Sequence, residues 1–162
     1  MDCIFCKIAK HQLSSYTVYE DSEAIAFLDI DPINEGHILV VPKEHYLDID
    51  EIPKELLTHL LDIMQKIVVA IKKTYSPNGY SIMQNGGEFN DIGHFHLHIF
   101  PRYQNDGFGW KCNENEINAS QEIANNIRKK LWLVLKFSTN GLIIDWKTKP
   151  PRYWTHIKQM VS

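Results

Sequence analysis

The chain switches between two hydrophobic periods. Residues 16–21, YTVYED, and 24–29, AIAFLD, flank the polar pair Ser22-Glu23 and predict two strands joined by a tight turn. HILVVPK, 37–43, predicts a third strand that Pro42 stops. IDPINEG before it is turn-rich, with Asp31-Pro32 and Gly36. From Pro53 to Tyr75 the period lengthens: Leu56, Leu60, Met64, Ile67 and Ile71 fall on one stripe. This predicts a helix with Pro53 at its first turn, ended by SPNG at 76–79. YSIMQNG, 80–86, predicts a fourth strand. Residues 94–100 predict a fifth, with Phe95, Leu97 and Ile99 alternating against His94, His96 and His98. A second helix is predicted over Ser120–Leu135. The order predicts an α+β domain, an antiparallel sheet of five strands with two main helices packed on one side. Beyond Phe137 the pattern weakens. LWLVLKFSTNGLIIDW suits a hairpin around Asn140-Gly141, and KTKPPRYW suits an extended arm.

Bulk properties narrow the function classes. The 162 residues suit one domain, and a chain of this length buries roughly 70% of its unfolded surface without disulfides. A net charge of −3 argues against a broad face for DNA or RNA. It leaves room for a local pocket that holds one nucleotide. MDCIFCKIAK lacks a signal-peptide pattern, and no apolar run approaches the ~20 residues of a membrane span, so a cytoplasmic protein is expected. There Cys3 and Cys6 are better read as ligands than as a disulfide, while Cys112 has no partner pattern.

Three of the eight histidines fall within GHFHLHIFPR, 93–102. On a strand rising ~3.3 Å per residue, His94, His96 and His98 project from one face about 6.6 Å apart. A strand needs only the apolar half of this pattern, so a merely solvated face is a poor explanation of the other half. Imidazoles at alternate positions can hold a metal. The outer two are about 13 Å apart along the strand, so all three cannot easily meet one ion. The other reading is a neutral imidazole acting as a nucleophile, with a neighbour supplying a proton to the leaving group.

HFHLHIF fits the pattern His-φ-His-φ-His-φ-φ, with φ apolar, and resembles the signature of the histidine-triad (HIT) family of nucleotide hydrolases and transferases. AFLDIDPINEGHILVVPKEH, 26–45, resembles the family's ribose-binding segment, and CIFCKI, 3–8, the opening of its zinc-containing bacterial branch. The resemblance spans about residues 3–135, giving a HIT domain at 1–136 and an extension of unassigned role at 137–162. It implies a HIT-like fold whose subunits join edge to edge, as a homodimer with a continuous sheet of ten strands.

Residue by residue, the resemblance implies that His96 attacks the α-phosphate to form a nucleotidyl-histidine that water resolves. His98 would contact the phosphate and help protonate the leaving group. His37 would orient the site by hydrogen bonding, a role compatible with a satisfied core histidine. Asp29 would accept the ribose hydroxyls. Phe5, Ile8, Phe27 and Ile30 would wall the base, although each suits plain core equally well. Asn85 would line the phosphate side. Cys3, Cys6, His45 and His94 would hold one structural zinc per chain, turning His94 away from the chemistry. The plainer alternative makes the two cysteines small buried hydrophobes.

One stretch departs from the family. Where many members carry Gly-Gln-Ser or Gly-Gln-Thr before the triad, this chain reads Phe89-Asn90-Asp91. Asn90 can donate a hydrogen bond to phosphate but reaches one carbon less than glutamine, and Asp91 adds negative charge. Gly86 and Gly87 permit close backbone approach to a phosphate, or simply turn the chain. The expected function is a nucleotide phosphoramidase or hydrolase that cleaves a nucleoside 5′-phosphate linkage, with a purine nucleotide as its small-molecule partner. Candidate substrates are adenosine phosphoramidates, dinucleoside polyphosphates and related adenylates. The alternatives are a purine-nucleotide-binding regulatory protein with vestigial catalysis and a catalytic metal site built on two strand histidines.

Overall fold

The computed structural model describes residues 3–111 and 119–137. They belong to two compact units, 1–110 and 111–162. The helix predicted at Ser120–Leu135 falls in the second unit. The hairpin at Asn140-Gly141, the arm at 147–154 and Cys112 lie outside the described residues.

In the first unit the order is α1 (Ile4–Ala9), β1 (Thr17–Glu20), β2 (Ala24–Leu28), β3 (Ile38–Pro42), α2 (Lys54–Tyr75), β4 (Gly79–Met83) and β5 (Leu97–Arg102). The five strands form one antiparallel sheet in the order β1-β2-β3-β5-β4. Period-two alternation sorts the side chains onto two faces. Ala24 and Ala26 of β2, Ile38 and Val40 of β3, and Leu97 and Ile99 of β5 pack with Leu60, Ile63, Ile67 and Ile71 of α2. The small residues of β2 let the long helix lie close. Ile25, Phe27, Leu39 and Val41 point the other way and pack with Phe5 and Ile8 of α1. The helices α1 and α2 therefore cover opposite faces, and α1 is an addition to the two main helices expected from sequence. At six residues it is too short for a hydrophobic period to reveal, and helices of that length need tertiary packing to persist.

The fifth strand also starts later than predicted. In its register with β3, Val40 faces Leu97 and Ile38 faces Ile99. Continuing that register would set Pro42 opposite Phe95, but proline has no N–H for the ladder. The Phe95 N–H instead donates to Tyr46 O at 2.7 Å. His94 and His96 accordingly precede β5, and only His98 lies within it.

Two backbone positions fix the entry to the site. Gly36, just before His37, has φ +86°, and a Cβ there would run into the ring of Tyr75 at the end of α2. Asp48 accepts from Gly87 N at 3.0 Å, tying the loop after β4 to the segment after β3.

In the second unit, α3 runs Gln121–Phe137. Ser120 caps it, its Oγ accepting from Ile123 N at 3.2 Å. Among the described residues, no helix is long and apolar enough to cross a membrane.

Candidate active site and metal centre

Two cysteines and two histidines come together by short local devices. Cys3 precedes α1 and its Sγ accepts from Cys6 N at 3.5 Å, which sets both thiols on the same turn. Cys3 Sγ lies 3.3 Å from His94 Nδ1, and Cys6 Sγ lies 3.3 Å from His45 Nδ1 and 3.6 Å from His94 Nδ1. The two imidazole nitrogens are 3.2 Å apart. All four donor atoms fall within 4.8 Å of one another.

This set fits a metal. A tetrahedral zinc with bonds of about 2.3 Å to sulfur and about 2.0 Å to nitrogen has N–N edges near 3.3 Å and S–N edges near 3.5 Å. The observed separations bracket those values. His94 Nε2 donates to Pro42 O at 3.0 Å, which leaves Nδ1 of the neutral ring with its lone pair toward the cluster. Burial holds His94 in that neutral form, pulling its pKa down to about 4. Burial also raises Cys6, with the Cys3 thiol beside it adding to the rise. A cation among the thiols would reverse that. His45 Nε2 is buried without a hydrogen-bond partner, so only His94 has its outer nitrogen anchored.

The remaining histidines form a line whose tautomers are dictated by backbone groups. A carbonyl can only accept, so His96 Nδ1, 2.7 Å from His94 O, carries the proton. The lone pair of a neutral His96 is then on Nε2. A backbone N–H can only donate, so His37 Nδ1, 3.2 Å from Ile33 N, is bare. His37 Nε2–H therefore donates to His98 Nδ1 at 3.0 Å, and His98 carries its own proton on Nε2. Desolvation keeps His37 and His98 neutral. It lowers His37 against the opposing pull of Asp29, and it lowers His98 to about 4 with help from His96 and His37. The rings of His96 and His98 are 4.6 Å apart.

Asp29 stands at the end of this line, its Oδ2 3.5 Å from His37 Nδ1 and 3.9 Å from His98 Nδ1. Phe5 meets Phe27 edge-on at 5.4 Å and His96 at 5.2 Å, with Ile8 buried in the same cluster. The short α1 thus joins the Cys3–Cys6–His45–His94 cluster to the ring of His96. Of the four expected wall residues, Ile30 is not packed with the others. It is 91% exposed, in an Asx turn closed by Asp31 N–H on Asp29 Oδ1 at 3.0 Å.

Upstream of the triad, Asn90 donates to Leu47 O at 2.9 Å and accepts from Gly93 N at 3.1 Å. Its amide thus ties the loop to the segment after β3 through one Nδ2–H, and the second Nδ2–H is left for another acceptor. Asn85 lies half-buried just after β4, its carbonyl accepting from Gln84 Nε2 at 2.7 Å. Asp91 is exposed, and its charge acts on His98. A cavity of about 430 Å³ lies between α2 and the β1–β3 side of the sheet, lined by Tyr19, Leu28, Ile67, Ile71 and Tyr75. It is on the face opposite the histidines and carries none of this chemistry.

Sequence reading missed Ile33 and Pro42, whose backbone atoms fix two tautomers. It also missed Asn34 and Asp106, which join the His37 loop to β5. The only available signal for Asp106 was the dipeptide Asp106-Gly107, which on its own reads as a turn.

The comparisons with known proteins agree with this geometry. Residues 10–105 match the model of the HIT domain. The chain belongs to the HIT family. It is 39% identical over 137 residues to Protein hit of Bacillus subtilis, covering 80% of this chain and 94% of that one. An adenosine 5′-monophosphoramidase of Saccharomyces cerevisiae is 34% identical over 134 residues, covering 80% and 82%. The crystal structure of a HIT family member from Bacillus subtilis superposes with a TM-score of 0.74 at 36% identity, covering 82% and 96%. A Zn-bound histidine triad protein from Mycobacterium smegmatis gives 0.63 at 28% identity, covering 83% and 96%.

Proposed function

We propose that this HIT protein is a nucleotide phosphoramidase or hydrolase that cleaves a nucleoside 5′-phosphate linkage through a nucleotidyl-histidine intermediate on His96. One observation carries the reading: His96 donates through Nδ1 to His94 O, which leaves Nε2 as the nucleophilic nitrogen of a ring held in one orientation. Its Nε2 would form the new bond to the α-phosphorus as the bond to the leaving group breaks. His98 would give its Nε2 proton to the departing amine, leaving the ring ready to accept a proton at Nε2. Water would then attack phosphorus as the bond to His96 Nε2 breaks and restores that lone pair, and the proton lost by the water would return to His98 Nε2. His98 would then end the cycle in the neutral form in which it began. Asp29 suits a ribose hydroxyl, accepting it beside the His37–His98 pair, and Phe5, Ile8 and Phe27 suit a purine. The yeast adenosine 5′-monophosphoramidases among its relatives support an adenosine phosphoramidate as substrate.

Cys3, Cys6, His45 and His94 would hold a zinc ion. With four protein donors and no open position, it would supply structure rather than Lewis acidity. The Zn-bound neighbour supports that choice of metal. Homodimer formation along β4 is part of the same reading. That strand is an edge, pairs only with β5, and exposes Tyr80 and Ile82.

His96→Ala should abolish adenosine phosphoramidate hydrolysis while leaving nucleotide affinity within a few-fold. Wild-type turnover by that variant would sink the nucleophile assignment. A second reading, a nucleotide-binding regulatory protein with vestigial catalysis, draws on Asn90 engaging its own loop through both Nδ2 and Oδ1. Tight binding of adenosine monophosphate with no turnover across a broad panel would favour it.

A further inference from the structure

A dense polar cluster lies beyond the histidines, at the end of β5. Asp106 accepts five hydrogen bonds. Arg102 donates from Nε at 2.6 Å and from Nη2 at 2.9 Å, a bidentate pair. The backbone N–H groups of Tyr103 and Phe108 each donate at 3.1 Å. The fifth donor is Asn34 Nδ2 at 3.0 Å, which also donates to Pro101 O at 2.9 Å. The Asp106 side chain is 5% exposed. Asn105 and Gly107, on either side of it, adopt φ of +64° and +76° to close the loop. Arg102 continues the fastening, donating to Phe108 O at 2.6 Å and to Ser81 Oγ on β4 at 3.2 Å.

Two routes run from this cluster to His37. The polar route passes through Asn34, whose backbone oxygen accepts from His37 N at 3.1 Å. That contact forms the turn from which Ile33 N reaches His37 Nδ1. The aromatic route passes from Arg102, 4.6 Å over the Phe108 ring, to Phe100 at 5.1 Å and on to His37 at 5.0 Å. Asn34 belongs to a turn-rich loop with few apolar anchors, so without Asp106 little would hold that loop against β5. If the loop drifts, Ile33 N no longer faces His37 Nδ1, and nothing then forces the proton onto Nε2.

We propose that Asp106, with Arg102 and Asn34, is a positioning element: it fixes the 31–37 loop so that His37 keeps its proton on Nε2 and presents it to His98. The catalytic effect claimed for it rests on the function proposed above, but the tautomer claim does not. In this proposal the cluster acts through His37.

Asn34→Ala separates this role from plain stabilisation. It removes the polar route while keeping the Arg102–Asp106 pair. Asn34→Ser, which retains a shorter donor, serves as the partial rescue and as the fallback where the alanine variant does not fold. Nitrogen-15 spectra of histidine-labelled full-length protein report the tautomers of His37 and His98 directly. The expected wild-type spectrum has both rings protonated at Nε2. In Asn34→Ala, His37 should become a mixture of tautomers, and kcat for the phosphoramidate should fall roughly ten- to a hundredfold with KM changed less. Asn34→Ser should lie between. Unchanged tautomers alongside a lowered melting temperature would overturn the proposal and leave the cluster purely structural. Altered tautomers with unchanged kcat would overturn its link to catalysis. Should the wild type show no turnover, the functional reading falls, and the spectra still decide the positioning claim.

Discussion

Replacing both Cys3 and Cys6 by serine should remove one zinc ion per chain and loosen α1. The structure explains why α1 depends on the cluster. The helix has six residues, too few to persist alone, and it carries two of the four donors together with the buried Phe5 and Ile8. A ligand present at a thousand times its dissociation constant stabilises the folded state by about 4 kcal/mol. In a unit of this size each kcal/mol moves the melting temperature by roughly 4 °C or more, so chelation should lower it by about 15 °C. Elemental analysis of protein purified without chelator gives the stoichiometry, and calorimetry with and without chelator gives the shift. The serine variant should melt where chelated wild type melts and ignore added zinc. A zinc content near zero in the wild type, or a melting temperature that chelation leaves unmoved, would refute the tetrahedral reading of these four donors.

Three other predictions test separate parts of the site. Gly36→Ala forces a side chain into a positive φ and against Tyr75, and should cost roughly 3 kcal/mol in urea denaturation; Tyr75→Leu in the same chain should recover part of it. His98 has its pKa lowered to about 4 in the folded chain, against about 6.5 when unfolded, so the unfolded state binds more protons between those values. Its contribution is complete above pH 6.5 and lost as pH falls toward 4, by up to about 3 kcal/mol, so stability measured at pH 7, 5.5 and 4 should fall less steeply in His98→Gln than in wild type. A slope identical to wild type would contradict the desolvated environment assigned to this ring. Asp91→Asn removes a negative charge that acts on His98 and should raise kcat/KM for an anionic polyphosphate leaving group about fivefold relative to an amine. An unchanged ratio would show that the carboxylate does not face the leaving group.

Much of the scaffold was legible because burial writes itself as a period. Ala24 to Leu28 and Ile38 to Pro42 send alternate residues to two clusters, and the stripe from Leu56 to Ile71 marks the long helix. What escaped depends on contacts between residues far apart in sequence. The first helix is stable only where Phe5 meets Phe27 and His96. The late start of β5 follows from Pro42 being the strand partner due opposite Phe95. At the site, Cys3, Cys6, His45 and His94 come together as the resemblance implied, as do His37, His96 and His98. An Asx turn leaves Ile30 in solvent, and Leu47 O takes one Nδ2–H of Asn90, contacts that no local sequence pattern announces. Spacing alone could also not divide the triad. The division rests on His94 turning Nδ1 toward the thiols while His96 keeps Nε2 for other use.

The nucleophilic role of His96 is open to direct trapping. The protein is mixed with an adenosine substrate labelled at the α-phosphate, quenched in mild base, in which a phosphorus–imidazole bond survives, and digested for peptide mass analysis. The label should sit on the peptide carrying His96, disappear on acid treatment, and be missing from His96→Ala. Turnover of that substrate with no label on the chain, or with label on any other residue, would contradict the assignment of His96 as nucleophile.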